Sequence, residues 1–263
     1  MPLPGVYYAV KKNGSIYYRS SVTYRSRHIS LGSFETEHEA HLVYERAKDL
    51  LSSGRGINDH EGSDPLPFDK AVILVNFRDN NVYIKNPIYL QNTYIEYYLD
   101  PDTVFKFDIE DLFFYSVHRI QRRGGHFFVA DYGMQVNLNT RYGIKRHAVY
   151  GRDYRFINGD RYDYRYENIE VINSHNGVMR IKKDGKILFK TSILINGTVT
   201  VGIYDTLTEA AIAYNKAADI LTGSKGSRKY ELNYIDELSP SEYADKYTEI
   251  KISPGIYERA GRA

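Results

Sequence analysis

Lysine and arginine gather in three stretches of this chain, and the chemistry they offer is the binding of phosphate. Residues 1–34 hold five of them (Lys11, Lys12, Arg19, Arg25, Arg27) and no acid. Residues 117–152 hold seven against Asp131 alone, and residues 176–204 hold five against Asp184 alone. The acids collect elsewhere: between Glu96 and Asp111, in two Ala/Tyr-rich helical stretches, and after Glu231. The net charge is only +2, so these stretches imply separate positive faces turned to a polyanion, not a uniformly adhesive surface. Arg152, Arg155 and Arg165 are further candidates to hold phosphate.

The first and third basic stretches belong to one pattern that occurs twice. Residues 5–51 read Gly5-Val6, a short basic hairpin, a strand ending Val22-Thr-Tyr24, Leu31-Gly-Ser-Phe-Glu-Thr36 and an Ala/Tyr-rich helix. Residues 177–221 read Gly177-Val178, Ile181-Lys-Lys-Asp-Gly185, Lys190-Thr-Ser-Ile-Leu-Ile195, Thr200-Val-Gly-Ile-Tyr-Asp-Thr206 and a second such helix. Each copy is expected to be three alternating strands and one amphipathic helix, with one sheet face on the helix and the other free. In the first copy strands are expected at 6–10, 17–24 and 28–34, with Asn13-Gly14 as a hairpin turn. Thr36 and Thr206, each followed three residues later by a glutamate, are expected helix caps. Ala40, Val43, Tyr44, Ala47, Leu50 and Leu51 form the first helix's core stripe; Ala210, Ala213, Tyr214, Ala217, Ala218 and Leu221 form the second's, with Gly223 as its stop.

Both copies resemble the plant AP-two/ERF DNA-binding domain. The resemblance rests on Gly5-Val6, Tyr18, Val22-Thr23, Leu31 to Thr36, Ala40 and Tyr44, and on Gly177-Val178, Phe189, Gly202 to Thr206, Glu209-Ala-Ala, Ala213-Tyr214, Ala217-Ala218 and Asn233. Tyr18 and Phe189 stand where that family usually has tryptophan. The resemblance implies that the exposed sheet face enters the DNA major groove. The outward residues of the first copy would then be Tyr7, Ala9, Lys11, Arg19, Ser21, Thr23, His28 and Ser30. Arg19 suits a guanine or a phosphate, and Lys11 a phosphate. Tyr7, Ala9, Thr23 and His28 occupy positions where the family often has arginine, so base preference does not carry over. In the second copy the outward set would be Met179, Ile181, Lys183, Lys190, Ser192, Leu194, Thr198 and Thr200. That face suits either DNA or a protein, including a second copy of this chain.

The middle region, 68–174, is expected to be strand-rich, opening with Val72-Ile-Leu-Val-Asn-Phe77, with a small acidic helix around 108–114 and basic strands from 127 to 149. It resembles the HNH homing-endonuclease core, in residues 99–129, in Ile157-Asn-Gly-Asp160, Asp163 and Arg165, and in Asn168-Ile-Glu-Val171. The family pattern places a metal-binding Asp and a water-activating His where this chain has Arg155 and Phe156. Arginine repels a divalent cation and phenylalanine accepts no proton, so catalysis is expected to be lost. Asn158, Gly159, Asp160 and Asn168 are explained by turn geometry alone. His147, Asp153 and His175 are the nearby donors for a displaced metal site, although lone histidines among basic strands more often meet phosphate or solvent.

Together these readings predict an α+β protein with two AP-two/ERF-like domains (1–56 and 175–235) flanking a degenerate HNH-like, ββα-type domain (68–174), a linker at 57–67 and an exposed acidic tail at 236–263. The implied function is sequence-specific duplex DNA binding, acting as a repressor derived from a homing endonuclease. Phage or mobile-element origin, and with it a bacterial cytoplasm, follows from the resemblance alone. An active nicking enzyme and a protein-interaction module are the alternatives, and no metal or cofactor is expected. The chain has no cysteine, which excludes disulfides and thiolate zinc sites. No apolar run is long enough to span a bilayer and no secretory signal is seen. Tryptophan is also absent, while the 26 tyrosines can fill a core and still present a hydroxyl.

Overall fold

The computed structural model describes residues 3–131, 133–145, 148–222 and 229–261; Gly223 and His147 lie outside them. The protein is mixed α+β, with several small three-stranded antiparallel sheets and helices. It divides into two compact units, Met1–Tyr142 with Phe156–Ile169, and Gly143–Arg155 with Glu170–Ala263. No helix among the described residues is long and apolar enough to cross a membrane.

The first unit opens with β1 (Val6–Val10), β2 (Ile16–Tyr24) and β3 (Arg27–Phe34), an antiparallel sheet in that order, followed by α1 (Glu37–Ser52). Arg25 and Ser26 both have positive φ, the signature of the two-residue turn that joins twisted strands. Thr36 and Glu39 cap α1 reciprocally, satisfying donors that a helix start leaves orphaned. Val22, Ile29 and Leu31 meet Val43, Ala47, Leu50 and Leu51 of α1 in the core.

The core does not stop at the repeat. Residues 72–77, expected to open a strand-rich region, lie in α2 (Phe68–Asn80), and every residue from Ala71 to Phe77 is buried. An unbroken apolar run fits a buried strand or a buried helix equally well. Here α2 packs on α1 and also on the next sheet, so both of its faces are covered. The stretch 57–67 is no free linker either: Ile57 and Leu66 join the same core, and Arg46 of α1 holds Asp64 at 2.6 Å.

That next sheet is β4 (Ile88–Leu90), β5 (Tyr94–Asp100) and β6 (Thr103–Asp108). A helical turn at 109–111 leads into α3 (Leu112–Val117), at the place expected for the acidic helix. A third small sheet holds β7 (Ile120–Arg123), β8 (His126–Asp131) and β9 (Met134–Asn137), after which α4 (Leu138–Arg141) begins. The expected basic strands thus stop near 137, because the Asn137 side chain accepts the Asn139 N–H and caps α4. Phe105, Phe107, Tyr115, Tyr142 and Tyr164 fill the space between, with the Phe107 and Tyr115 rings stacked 3.9 Å apart. The Tyr142 hydroxyl reaches Asp111, which also takes Arg141 at 2.6 Å. Tyrosine in this core therefore serves packing and carries its own polar partner. β10 (Tyr154–Phe156) and β11 (Ile169–Val171) form a two-stranded sheet, and the chain passes between the units at these strands.

In the second unit β12 (Val178–Lys183), β13 (Lys186–Leu194) and β14 (Thr198–Tyr204) precede α5 (Leu207–Thr222). The two copies match in detail. Each central strand carries one bulge, at Ser20/Ser21 and at Thr191/Ser192. Thr206 and Glu209 repeat the reciprocal cap. One difference is energetic: Thr191 Oγ1 donates to the Ala210 carbonyl at 2.8 Å, whereas buried Ser20 Oγ finds no partner among the described residues. Thr191→Val is therefore expected to cost about 1 kcal/mol, and Ser20→Ala to be neutral or stabilising. Urea unfolding of the two variants checks this; equal destabilisation would contradict it.

The segment after 235 is acidic but not a free tail. It forms α6 (Pro240–Glu249) and α7 (Pro254–Gly261). Lys216 of α5 donates to the carbonyls of Tyr247, Thr248 and Ile250, closing the end of α6. Ile256 is fully buried in the second core, where Ile250 and Ile252 also pack. The charge of this segment hid its apolar anchors.

Candidate nucleic-acid interface

On the first sheet, strand alternation and the bulge decide which side chains face away from α1. The register places Tyr7, Arg19 and Ser33 in one row, Ala9 and Tyr17 in the next, and Thr23 with His28 near the far end. Tyr7, Arg19, Thr23, His28 and Ser30 are exposed as expected, while Lys11 stands in the turn after β1. Ser21 is the exception. It pairs with Ser30, but it follows the bulge and retains only 7% of its surface. It cannot read a ligand from there.

Tyr17 escapes a match by family position, although it shares a face with Arg19 two residues on. Its hydroxyl accepts a hydrogen bond from Arg19 Nη2 at 2.6 Å. The guanidinium lies 5.3 Å from its ring centre and Lys11 Nζ lies 5.9 Å from the same centre. Arg25 and Arg27 are instead turned onto the unit's own body. Arg27 sits 4.1 Å over Tyr83, and Arg25 donates to the Phe77 carbonyl.

The second sheet presents a different face. Met179, Lys190 and Ile203 share a row, Ile181 faces Leu188, Lys183 faces Lys186, Ser192 faces Thr200, and Leu194 faces Thr198. Leu194 and Ile203 are roughly half exposed, at 47% and 48%. Lys183 and Thr198 are exposed, while Lys190 and Ser192 are half-buried.

The three arginines expected to grip phosphate in the middle region are already engaged. Arg152 pairs with Asp153 at 2.6 Å, Arg155 with Glu170 at 2.6 Å, and Arg165 with Asp163 at 2.7 Å. A carboxylate at that range cancels most of the charge a phosphate would meet. Phe156 is buried against Tyr164, ring centres 5.3 Å apart. Asn158 Oδ1 accepts the Asp160 N–H, and Gly159 has φ +81°. Asn168 links the two ends of this loop through Asn158 N–H and the Asp163 carbonyl. Asp160 contacts Lys106. These bonds hold the four residues in a turn and the loop that it opens.

Asp153 is likewise committed. Burial opposes its ionisation, but Arg152, the Val149 N–H and Asn173 outweigh that and hold its carboxyl below the usual range. His175 is pushed below the usual imidazole value by burial, reinforced by Lys145. Among the described residues no group of three or more His, Asp or Glu is placed to hold a metal ion. The positions at which the HNH resemblance would require a ligand and a base carry chemistry that fits neither. No family model, curated protein or solved structure matches this chain.

Proposed function

We propose that this protein binds duplex DNA through the outer face of its first sheet, as a sequence-specific repressor derived from an HNH homing endonuclease with AP-two/ERF-type readers. One observation carries the reading. Among the described residues, ion pairs such as Arg46–Asp64, Arg122–Asp100 and Arg165–Asp163 lie outside both repeats' sheets, and none involves a residue of either sheet. Elsewhere most arginines are matched to an acid. In the first repeat Arg19, paired across the strands with exposed Tyr7, and Lys11 and Lys12 of the turn after β1 are in no ion pair among the described residues, and Thr23, His28 and Ser30 are exposed on the same sheet. Uncompensated cations on a flat sheet suit a polyanion. The Arg155 and Phe156 side chains support loss of catalysis, since one is cationic and the other buried and apolar.

Gel shift of source-genome fragments with Mg²⁺ present, run beside denaturing gels, tests this. A fragment retarded but uncut is the expected result; metal-dependent strand breaks would point to a living nuclease instead. If about four phosphates are neutralised, raising salt from about 50 to 200 mM should weaken binding roughly 100-fold. A salt-insensitive association constant would contradict phosphate contact.

The row Met179–Lys190–Ile203 favours a second role for the other repeat, contact with protein. Met179→Glu should then abolish regulation or self-association while leaving DNA affinity intact. Loss of DNA affinity in that variant would make the second sheet a reader as well.

A further inference from the structure

Resting on the DNA-binding reading, we infer that Tyr17 is a positioning residue that holds Arg19 in the orientation needed to read a guanine in the major groove. Arg19 lies on the central strand, flanked by Tyr7 on one side and Ser33 on the other. Two ladders therefore fix its backbone. Its side chain is held by a phenol rather than a carboxylate: Nη2 donates to Tyr17 Oη at 2.6 Å, with the guanidinium over the same ring. Opposite Tyr17 on β1 is Ala9, whose small side chain leaves the ring room on the face.

The choice of partner matters. A carboxylate would restrain Arg19 but cancel its charge, as Asp153, Glu170 and Asp163 do for the middle arginines. A neutral acceptor restrains it, takes one N–H, and leaves the charge and the other four N–H donors for a ligand. A phosphate contact tolerates many guanidinium orientations, so holding one would gain little for phosphate binding. Bidentate contact to guanine O6 and N7 needs a defined plane. Lys11, whose Nζ lies 5.9 Å from the centre of the same ring, is then the phosphate contact. Lysine cannot substitute for Arg19, because a point charge lacks the planar fork.

The test uses the full chain and a duplex selected by it from a short randomised library, with each guanine replaced in turn by 7-deazaguanine, which lacks the N7 acceptor. Wild type should lose affinity at one guanine, and Arg19→Ala should lose about 5- to 150-fold overall while becoming indifferent to that replacement. Tyr17→Phe should keep its melting temperature and its affinity for unselected duplex, yet discriminate that guanine several-fold less; Arg19→Lys should not restore discrimination. Wild-type discrimination in Tyr17→Phe, or indifference of wild type to every replacement, overturns the inference while leaving DNA binding in place. If no duplex is selected and binding is insensitive to salt, the DNA-binding reading itself fails and this inference falls with it.

Discussion

Gly177→Ala is expected to unfold the second repeat, at a cost of about 3–5 kcal/mol, from backbone strain and overpacking together. Gly177 has φ +70°, a region a side chain rarely enters, and it begins the repeat just before β12. A methyl group there would sit 2.3 Å from the Ser192 carbonyl oxygen and 2.3 Å from the Tyr214 ring. The ring is buried in the second core, and the carbonyl belongs to the central strand and cannot move aside. The Gly177 carbonyl also receives the Ser192 N–H at 2.8 Å, immediately after the bulge, so any shift breaks that bond too. Removing the ring with Tyr214→Ala should therefore not rescue the variant. Gly5 makes the corresponding approach in the first repeat, with φ +76°, and a methyl group on it would fall 2.1 Å from the Tyr44 ring. Hydrogen exchange of the β12–β14 amides reads the effect directly. Protection equal to wild type in Gly177→Ala would refute it.

Asp163→Ala is expected to cost about 3 kcal/mol, near the lower end for breaking a buried ion pair. The Asp163 side chain is fully buried and receives Arg165 through Nε and Nη2, the Arg165 N–H and the Asn158 amide. Its removal strands Arg165 and unlocks the loop from 157 to 168. Burial opposes ionisation of this carboxyl, but Arg165 and Asn158 outweigh it and hold its pKa below the ordinary value of 3.8. A group lowered on folding stabilises the native state above its unfolded pKa, and that stabilisation disappears as pH falls through the native value. Stability of wild type should thus fall below about pH 4, and Asp163→Asn should flatten part of that loss. Urea midpoints between pH 3 and pH 7 check both statements. A variant with an unchanged acid limb would show that Asp163 does not contribute.

How much was legible depended on how far apart the interacting residues lie. The Asn158–Asp160 turn follows from bonds spanning two residues, and position alone predicted it. Arg152, Arg155 and Arg165 looked like free cations because Glu170 lies fifteen residues from Arg155, and because an adjacent acid such as Asp153 need not pair at all. Ser21 looked exposed because a bulge changes alternation, and no residue at 20 or 21 announces one. Tyr17 is placed beside Arg19 by strand alternation, a signal the sequence carries, whereas its bond to the guanidinium is a tertiary fact.

The sequence by itself determined the twofold repeat, the strands of its first copy to within about one residue, the Asn13-Gly14 turn and both helix caps. Those signals act over a few residues, where backbone sterics and a single side-chain hydrogen bond are enough. Only tertiary structure decided that 68–80 is a helix between two layers, that 57–67 is packed, and that the acidic segment after 235 docks through Ile256. It also decided which cations stay uncompensated. Burial on both faces and the matching of charges are set by segments brought together from far along the chain, and no local pattern carries that information.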